Sequence, residues 1–303
     1  MSLLSIFVSD LLPIFLVAGV GFLLARYLGA SVQTLSRVSF NALAPCLVFS
    51  QLVTSPVSGI EFGRMALFCV LSTLAMGLVA RGAAGLLRLD RPAVSAFLLV
   101  VMFSNGGNYG LPVVLFAFGR DALSHASVYF VTSAVLVYTL GVLLAATGRR
   151  SIQDALTGIV KVPAAWAVAA AAIVLTSGMN VPLALMRPAT LLGDAALPMM
   201  ILVLGMQLER ASSPDRPRVV AAAVTLSLVV APLVALVVAS LLGLTGPARQ
   251  AAVVQASMPS AVVTTILALE YDVLPAFVTS VVLLATLLSP LTLTVLIAYL
   301  QGS

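Results

Sequence analysis

Ten apolar runs, each long enough to cross a lipid bilayer, make up most of this 303-residue chain. Hydrocarbon offers no partner to backbone N–H and C=O groups, so a run of about 20 apolar residues crosses it as an α-helix. The connections between the runs are short and leave little sequence for a water-soluble domain. The pattern predicts an all-α integral membrane protein with spans at residues 10–28, 36–54, 64–87, 93–118, 124–146, 162–178, 186–208, 218–243, 248–269 and 274–300.

The charge content and the motifs exclude several classes of protein. Charged residues make up 8% of the chain and hydrophobic residues 61%, whereas a soluble domain has about 25% charged residues. We expect no nucleic-acid partner. The two cysteines, Cys46 and Cys69, lie in apolar runs outside any Cys/His cluster, so we expect no metal and no cofactor. Zinc-protease, serine-hydrolase and ATP-binding motifs are absent from the sequence, and we expect no enzyme.

Basic residues predict the orientation of the spans. With the N-terminus outside and the spans alternating, eleven of the 15 Lys and Arg residues fall on the inner side and four on the outer side. Cytoplasmic loops carry the excess of Lys and Arg in membrane proteins. We therefore expect a multi-pass protein with its N- and C-termini outside, and the four outer residues are Arg64, Arg120, Arg187 and Arg249.

The two halves of the chain resemble each other at a nearly constant offset. The matching pairs are residues 116–123 with 267–274, 41–45 with 194–198, and Pro13 with Pro163, at offsets of 151, 153 and 150. Because each unit holds five spans, an odd number, the second unit must insert upside down, as in many secondary transporters. The predicted parts are a first repeat at 1–147, a short cytoplasmic linker at 148–161 and a second, inverted repeat at 162–303.

The fourth apolar run contains a stretch that a continuous helix would avoid. Residues 104–112 read Ser-Asn-Gly-Gly-Asn-Tyr-Gly-Leu-Pro, and Gly and Pro both disfavour helix interiors. Irregular backbone at membrane depth is tolerated where it is buried in protein or lines a wet cavity. The pattern favours a broken helix at a binding site, and the alternative is a kinked helix whose Asn residues bond to neighbouring helices.

The repeat offset places a second break in the ninth run. Residues 255–263, which correspond to 104–112, again interrupt an apolar helix with a proline and polar side chains. The alternative for this stretch is an ordinary proline kink. Equivalent breaks in two inverted halves indicate a transport site.

The two breaks supply the candidate substrate site. Half-helix N-termini carry partial positive charge and free N–H groups that suit a carboxylate. Near the centre of every predicted span, Lys and Arg are missing from the sequence, so helix ends and amides are the available anion donors. The candidate substrate-binding residues are Asn105, Asn108, Tyr109, Gly110, Pro112, Gln255, Ser257, Pro259 and Ser260.

One acidic residue reaches into a predicted span. Asp194 lies near the start of the seventh run, and its repeat mate is Asn41. Intramembrane carboxylates often bind coupling ions, so these two residues are candidates for a site that binds H⁺ or Na⁺. The alternative for Asp194 is an N-terminal helix cap. The other acidic residues, Asp10 among them, are expected in loops or at helix ends.

The string from Asn105 to Pro112, together with ten spans in two repeats and the break around Pro259, resembles the auxin efflux carrier family over the whole chain. The resemblance implies a crossover fold similar to bile-acid symporters and sodium–proton antiporters, in which broken helices 4 and 9 cross. It implies a scaffold bundle of spans 1, 2, 6 and 7 and a transport bundle of spans 3–5 and 8–10, which move against each other like an elevator. It also implies a homodimer and, for bacterial members, small carboxylate substrates in the cytoplasmic (inner) membrane.

The sequence therefore predicts a secondary transporter that moves a small organic anion across the membrane, with the substrate held where helices 4 and 9 cross. The alternative is a sodium-coupled symporter of a larger amphipathic acid, which the lack of buried carboxylates disfavours. The expected partners are the organic anion, the lipid bilayer and a second copy of the chain.

Overall fold

The computed structural model describes residues 3–54, 57–146, 162–209 and 216–302, and within these ranges the regular structure is helical throughout. The predicted linker at 148–161 lies outside the described residues. We number the helices in chain order: α1 (Leu3–Leu28), α2 (32–54), α3 (Gly59–Leu86), α4 (Arg91–Met102), α5 (Gly106–Ala145), α6 (Pro163–Ser177), α7 (Leu183–Leu208), α8 (Pro217–Leu241), α9 (Gly246–Ala256), α10 (Val263–Glu270) and α11 (Pro275–Gln301).

Six of these helices are long and apolar enough to cross a membrane: α1, α3, α5, α7, α8 and α11. The prediction of an all-α chain with several membrane-spanning helices is confirmed in the described residues. The other predicted runs correspond to α2, to the shorter helices α4 and α6, and to the pair α9 and α10. The count of ten spans therefore stays a prediction.

Helix α5 contains a sharp turn that divides it into two arms. Gly119 has φ 82° and ψ −168°, which is outside the helical region. This backbone conformation favours glycine, because a β-carbon would be strained there. The turn lies between the predicted fourth run, which ends at residue 118, and the predicted fifth run, which starts at 124.

Local signals in the sequence set several helix ends. At the start of α3, Ser58 and Glu61 form a capping box, in which the Ser58 hydroxyl accepts from the Glu61 N–H at 3.2 Å. Helices α1 and α6 end at Gly29 and Gly178, whose φ angles are 61° and 66°. Left-handed glycines are common helix terminators because they carry no β-carbon.

Helices α1, α2, α6 and α7 pack closely on one another. The tightest crossing joins α1 to α7, where Gly21 faces the backbone of Leu202 and Gly205 faces the backbone of Ala18. A β-carbon at Gly21 or Gly205 would overlap a carbonyl oxygen of the other helix. Small residues of this kind let membrane helices approach until their backbones touch.

Several of the remaining helices share a second core. Buried side chains of α3, α4, α8, α10 and α11 form one continuous cluster, and the end of α5 joins it. Helix α9 and most of α5 belong to the first core, which they share with α1, α2, α6 and α7. The largest fully buried side chains there are Phe97, Leu99 and Phe103. This core surrounds the ends of α4 and α10, so it fixes the two interrupted helices relative to each other.

Candidate functional site

The two interrupted helices meet at their breaks. Helix α4 ends at Met102 and α9 ends at Ala256, and the segments that follow form an antiparallel bridge between Ser104 and Ser260. The Asn105 N–H donates to the Pro259 carbonyl, and the Ala261 N–H donates to the Phe103 carbonyl, both at 2.8 Å. Two chain segments about 155 residues apart are therefore joined backbone to backbone.

The sequence explains why the chain leaves the helix here and returns to it. After the bridge, Gly106–Gly110 forms one π-helical turn, in which the Gly110 N–H donates to the Asn105 carbonyl at 2.9 Å. Pro112 lies in the first turn of the helix that starts at Leu111. Because proline has no N–H, it cannot donate to the carbonyls of the preceding turn, which favours irregular backbone just before it.

Gln255 lies against this turn. Its side chain is fully buried, and its Nε2 donates to the Ala126 carbonyl at 3.5 Å. Because a carbonyl only accepts, this contact assigns the amide orientation and leaves Oε1 facing the glycines. Within the described part of the chain Oε1 has no hydrogen-bond partner. A β-carbon at Gly106 would lie 2.8 Å from Oε1, and one at Gly110 would overlap it.

The two asparagines of the fourth run also present amide groups at the break. Asn105 is 5% exposed, and its Nδ2 has no partner among the described residues. Asn108 is half-buried. A buried amide without a partner costs about 1–3 kcal/mol. Asn105 and Gln255 therefore supply one unused donor and one unused acceptor, which a polar ligand could satisfy.

Three other predicted site residues already have partners within the protein. Tyr109 is fully buried, its hydroxyl lies 3.1 Å from the Ser289 hydroxyl, and its ring meets the Phe15 ring edge to face at 5.9 Å. Ser257 donates to the Val253 carbonyl at 2.6 Å. Ser260 donates to the Val100 carbonyl, also at 2.6 Å. In this conformation these side chains hold the breaks together.

A small polar cavity lies beside the bridge. Its volume is about 10 Å³, roughly the space of one water molecule. Hydroxyl-bearing residues from three helices and two connecting segments line it together with apolar residues. The hydroxyl-bearing residues are Ser72, Thr73, Ser104, Tyr129, Ser227 and Ser260. An organic anion does not fit this volume, so the conformation is closed around the breaks.

Sequence reasoning missed most of these hydroxyl residues. Ser72, Thr73 and Tyr129 lie on α3 and α5, and Ser227 lies on α8. The adjacent pair Ser72 and Thr73 in the middle of an apolar run was the available signal. Among the described residues that line the cavity there is no Lys or Arg, so donors to an anion are hydroxyls, amides and backbone N–H groups.

The structure corrects two expectations about acidic residues. Asp194 is the twelfth residue of α7, whose N-cap is Pro182, so the helix-cap alternative is wrong. Both Asp194 and Asn41 are exposed on the described chain, and the Asn41 Nδ2 donates to the Arg37 carbonyl at 2.9 Å. Asp10 was expected in a loop or at a helix end, but it is the eighth residue of α1 and is 6% exposed.

Comparison with known proteins gives one family match and a relative. A family model described as Membrane transport protein matches residues 6–297. A protein of Methanothermobacter thermautotrophicus named "Uncharacterized transporter" is 28% identical over 265 residues, which cover 85% of this chain and 85% of that protein. The family match includes the two breaks and the helices that carry the hydroxyl-lined cavity.

Proposed function

The chain belongs to the Membrane transport protein family, and from this we propose that it is a secondary transporter of a small organic carboxylate. The observation that carries the proposal is the meeting of the two breaks, where Asn105, Asn108 and Gln255 present amide groups beside a helix start. Helix starts and amides bind anions without a buried cation. The substrate site is therefore the region where α4 and α5 meet α9 and α10.

An elevator-like movement fits the way the helices pack. In this proposal α1, α2, α6 and α7 form the scaffold bundle, and α3–α5 and α8–α11 form the transport bundle. The mutual packing of α1, α2, α6 and α7 supports the first group. The second core, the bridge between the breaks and the packing of α9 on α3, α5 and α8 support the second group.

We propose ten spans with both termini outside a bacterial cytoplasmic membrane, and ion pairs at the helix ends fit the order in which the spans alternate. Arg26 pairs with Glu209 at 3.2 Å, and Arg216 pairs with Asp90 at 3.4 Å. All four residues belong to the predicted inner side. His125 and Glu61, 4.0 Å apart, both belong to the predicted outer side. Each pair therefore joins residues that the topology places at the same membrane surface.

The coupling ion is part of the proposal. We assign H⁺ or Na⁺ to the surface that carries Asp194 and Asn41, which lie on neighbouring scaffold helices. Replacing Asp194 by Asn should abolish the dependence of uptake on the proton gradient. Unchanged pH dependence of uptake in that variant would remove Asp194 from the coupling mechanism.

Thermal stabilisation of the purified protein tests the substrate class. The panel contains mono- and dicarboxylates, indole acids and bile acids, each with and without sodium. A ligand that binds only the folded state raises stability by RT ln(1 + [L]/Kd). A sodium-independent shift with a small carboxylate is expected. A shift with an amphipathic acid that requires sodium would favour the alternative, a sodium-coupled symporter.

Replacing Asn108 by Ala tests the site directly. We expect the variant to fold but to lose uptake of the carboxylate that the panel identifies, because Asn108 supplies an amide at the break and its side chain is half-buried. The measurement is uptake into proteoliposomes. The matched control is Asn180→Ala, which removes an exposed amide in the connection between α6 and α7. Normal uptake by Asn108→Ala would contradict the proposed site.

A further inference from the structure

A buried carboxylate lies near the outer end of α1. Asp10 is the charged residue with the lowest exposure in the described chain, at 6%, and it belongs to the π-helical turn Phe7–Leu11. Its Oδ1 lies 2.7 Å from the Ser9 hydroxyl, whose oxygen also lies 2.8 Å from the Ser5 carbonyl. Its Oδ2 accepts from the Gln301 Nε2 at 3.4 Å. Single π turns inside α-helices are frequently found at functional positions.

Gln301 connects Asp10 to two other elements. It is the last residue of α11, and its Nε2 also donates to the Ala117 carbonyl at 3.2 Å. Ala117 lies two residues before the Gly119 turn of α5. One amide therefore holds together α1, the end of α11 and the first arm of α5.

This connection crosses the boundary between the proposed bundles. Asp10 belongs to the scaffold group, whereas Gln301 and Ala117 belong to the transport group. The three ion pairs described above behave differently, since each one stays within a single group. A movement of one bundle against the other must break or stretch the bond between Asp10 and Gln301.

The charged and titratable groups around Asp10 leave its charge without a cation. Helices α1, α5 and α11 pack against the π turn, and α11 carries Tyr299 as its titratable group. The groups on α1 and α5 are Arg26, Tyr27, Tyr109, Arg120, Asp121, His125, Tyr129 and Tyr138. Across the described residues none of these forms an ion pair with Asp10, and the ion pairs of Arg26 and His125 are with Glu209 and Glu61.

We propose that Asp10 binds a proton from the outer side and that this proton releases a latch formed by Asp10, Gln301 and the Ala117 carbonyl. The proposal rests on the elevator movement of the proposed function. As a carboxylate, Asp10 accepts both of its hydrogen bonds, and a charged acceptor makes these bonds stronger. Protonation turns one oxygen into a donor and removes the charge. In this proposal the proton reaches Asp10 past Gln301, which is exposed and is the last residue of α11.

In this proposal the latch opens as the pH on the outer side falls. At neutral pH the latch is closed and holds the bundles in the conformation described here. At acidic pH outside, the Asp10–Gln301 bond weakens and the last helix becomes free to move with the transport bundle. The substitution Asp10→Asn keeps the shape of the protonated acid and removes the negative charge. This variant therefore represents the state in which the latch is open.

Pulsed electron paramagnetic resonance can measure this release without any substrate. The spin labels replace Leu4 on α1 and Leu241 on α8, which are 72% and 80% exposed, in a Cys46→Ser, Cys69→Ala background. Labelled protein is diluted with unlabelled protein in vesicles. We expect the distance distribution to shift between neutral and acidic pH by on the order of 5 Å, about one helical turn.

The variants decide whether Asp10 causes the shift. Asp10→Asn and Gln301→Ala should each give the acidic distribution already at neutral pH, with no further change on acidification. The matched control is Asp121→Asn, which removes an exposed carboxylate near the same membrane surface and should keep the parent's pH dependence.

A parent distribution that does not change with pH would overturn the latch, as would an Asp10→Asn variant that still responds to pH. If Asp10→Asn fails to fold, Gln301→Ala provides the same comparison with the carboxylate intact. The carboxylate panel is independent of this measurement. A ligand-induced stabilisation without a pH-dependent shift would therefore reject the latch and leave the proposed substrate site standing.

Discussion

The space that a β-carbon at Gly110 would need is occupied by the Gln255 side chain of the neighbouring helix α9. The Gln255 amide lies over Gly106 and Gly110, and Met258 closes the same space with a carbon 3.1 Å from the ideal β-carbon of Gly110. Glycine is needed here for close approach, because φ is −66° and any residue could adopt that angle. The contact between Gln255 and the two glycines sets the geometry of the break.

Replacing Gly110 by Ala should destabilise the protein and displace the Gln255 amide. Overpacking of this kind costs about 1–3 kcal/mol, and the midpoint of thermal unfolding in detergent measures it. Gly82→Ala is the control, since a β-carbon there meets nothing within 4 Å. An unfolding midpoint for Gly110→Ala equal to that of the parent would show that Gln255 moves away freely.

The sequence indicated which residues lie at the breaks but not what each of them contacts. Asn105, Gln255 and Pro259 were found because amides and prolines are unusual in apolar runs. Tyr129 was missed, since a tyrosine in a spanning helix gives no sign that its hydroxyl lies 3.3 Å from the Ser104 hydroxyl. That contact depends on how α5 packs beside the break, and hydrophobic periodicity carries no such information.

At the scale of secondary structure, the bridge between Ser104 and Ser260 joins helices that are far apart in sequence. Their neighbours exchange the backbone hydrogen bonds, so these two residues form the non-hydrogen-bonded pair of the bridge. Side chains in such pairs are the closest in an antiparallel arrangement, with Cα atoms about 4.5 Å apart. This spacing suits a disulfide.

The double substitution Ser104→Cys and Ser260→Cys should therefore form a disulfide under mild oxidation in a background without Cys46 and Cys69. Mass spectrometry of the digested protein measures the yield. The control pair is Ser104→Cys with Ser257→Cys, because the Ser257 hydroxyl points back to Val253 within α9. Equal yields for both pairs would contradict the alignment of the two breaks.

The crossing of α1 and α7 gives a second test at this scale. Gly205→Ala should destabilise the protein by about 1–3 kcal/mol, because the β-carbon would overlap the backbone of Ala18 and no rotamer change relieves it. Gly19→Ala on the same helix pair is the control, with nothing within 4 Å of its β-carbon. Thermal unfolding compares the two, and similar midpoints would mean that the helices separate easily.

Helix positions were predicted better than helix continuity. Apolar runs located the helices within a few residues, because burial in lipid requires length and apolarity together. The start of α7 was placed at residue 186 instead of Leu183, so Asp194 lies three residues deeper in the helix than predicted. Residues 3–9 extend α1 by about two turns further toward the N-terminus than hydropathy predicted.

At the scale of the whole molecule, the exposed face of α7 is a candidate surface for contact with a second copy of the chain. Asp194 is exposed in the interior of a spanning helix whose neighbours Leu191 and Leu192 are 73% and 41% exposed. An acidic side chain at the bilayer centre costs about 2.5–3.5 kcal/mol on insertion scales. A second copy of the chain against this face would separate Asp194 from lipid, as the homodimer implied by the family resemblance would.

Leu191→Cys should cross-link two copies in membranes, in a background without Cys46 and Cys69. Gel electrophoresis without reductant measures the fraction of dimer. Leu233→Cys on α8 is the control, since it is 59% exposed but lies on the proposed transport bundle. If Leu233→Cys cross-links and Leu191→Cys does not, the dimer surface lies elsewhere.

The volume of the cavity beside the bridge has a consequence for the cell that holds this protein. With space for about one water molecule, the cavity is too small for an ion that keeps its hydration shell. An ion crossing there would have to shed its hydration in an apolar surrounding, which is prohibitively costly. In the resting state we therefore expect the membrane to remain electrically tight, so that the protein does not dissipate the ion gradients on which transport depends.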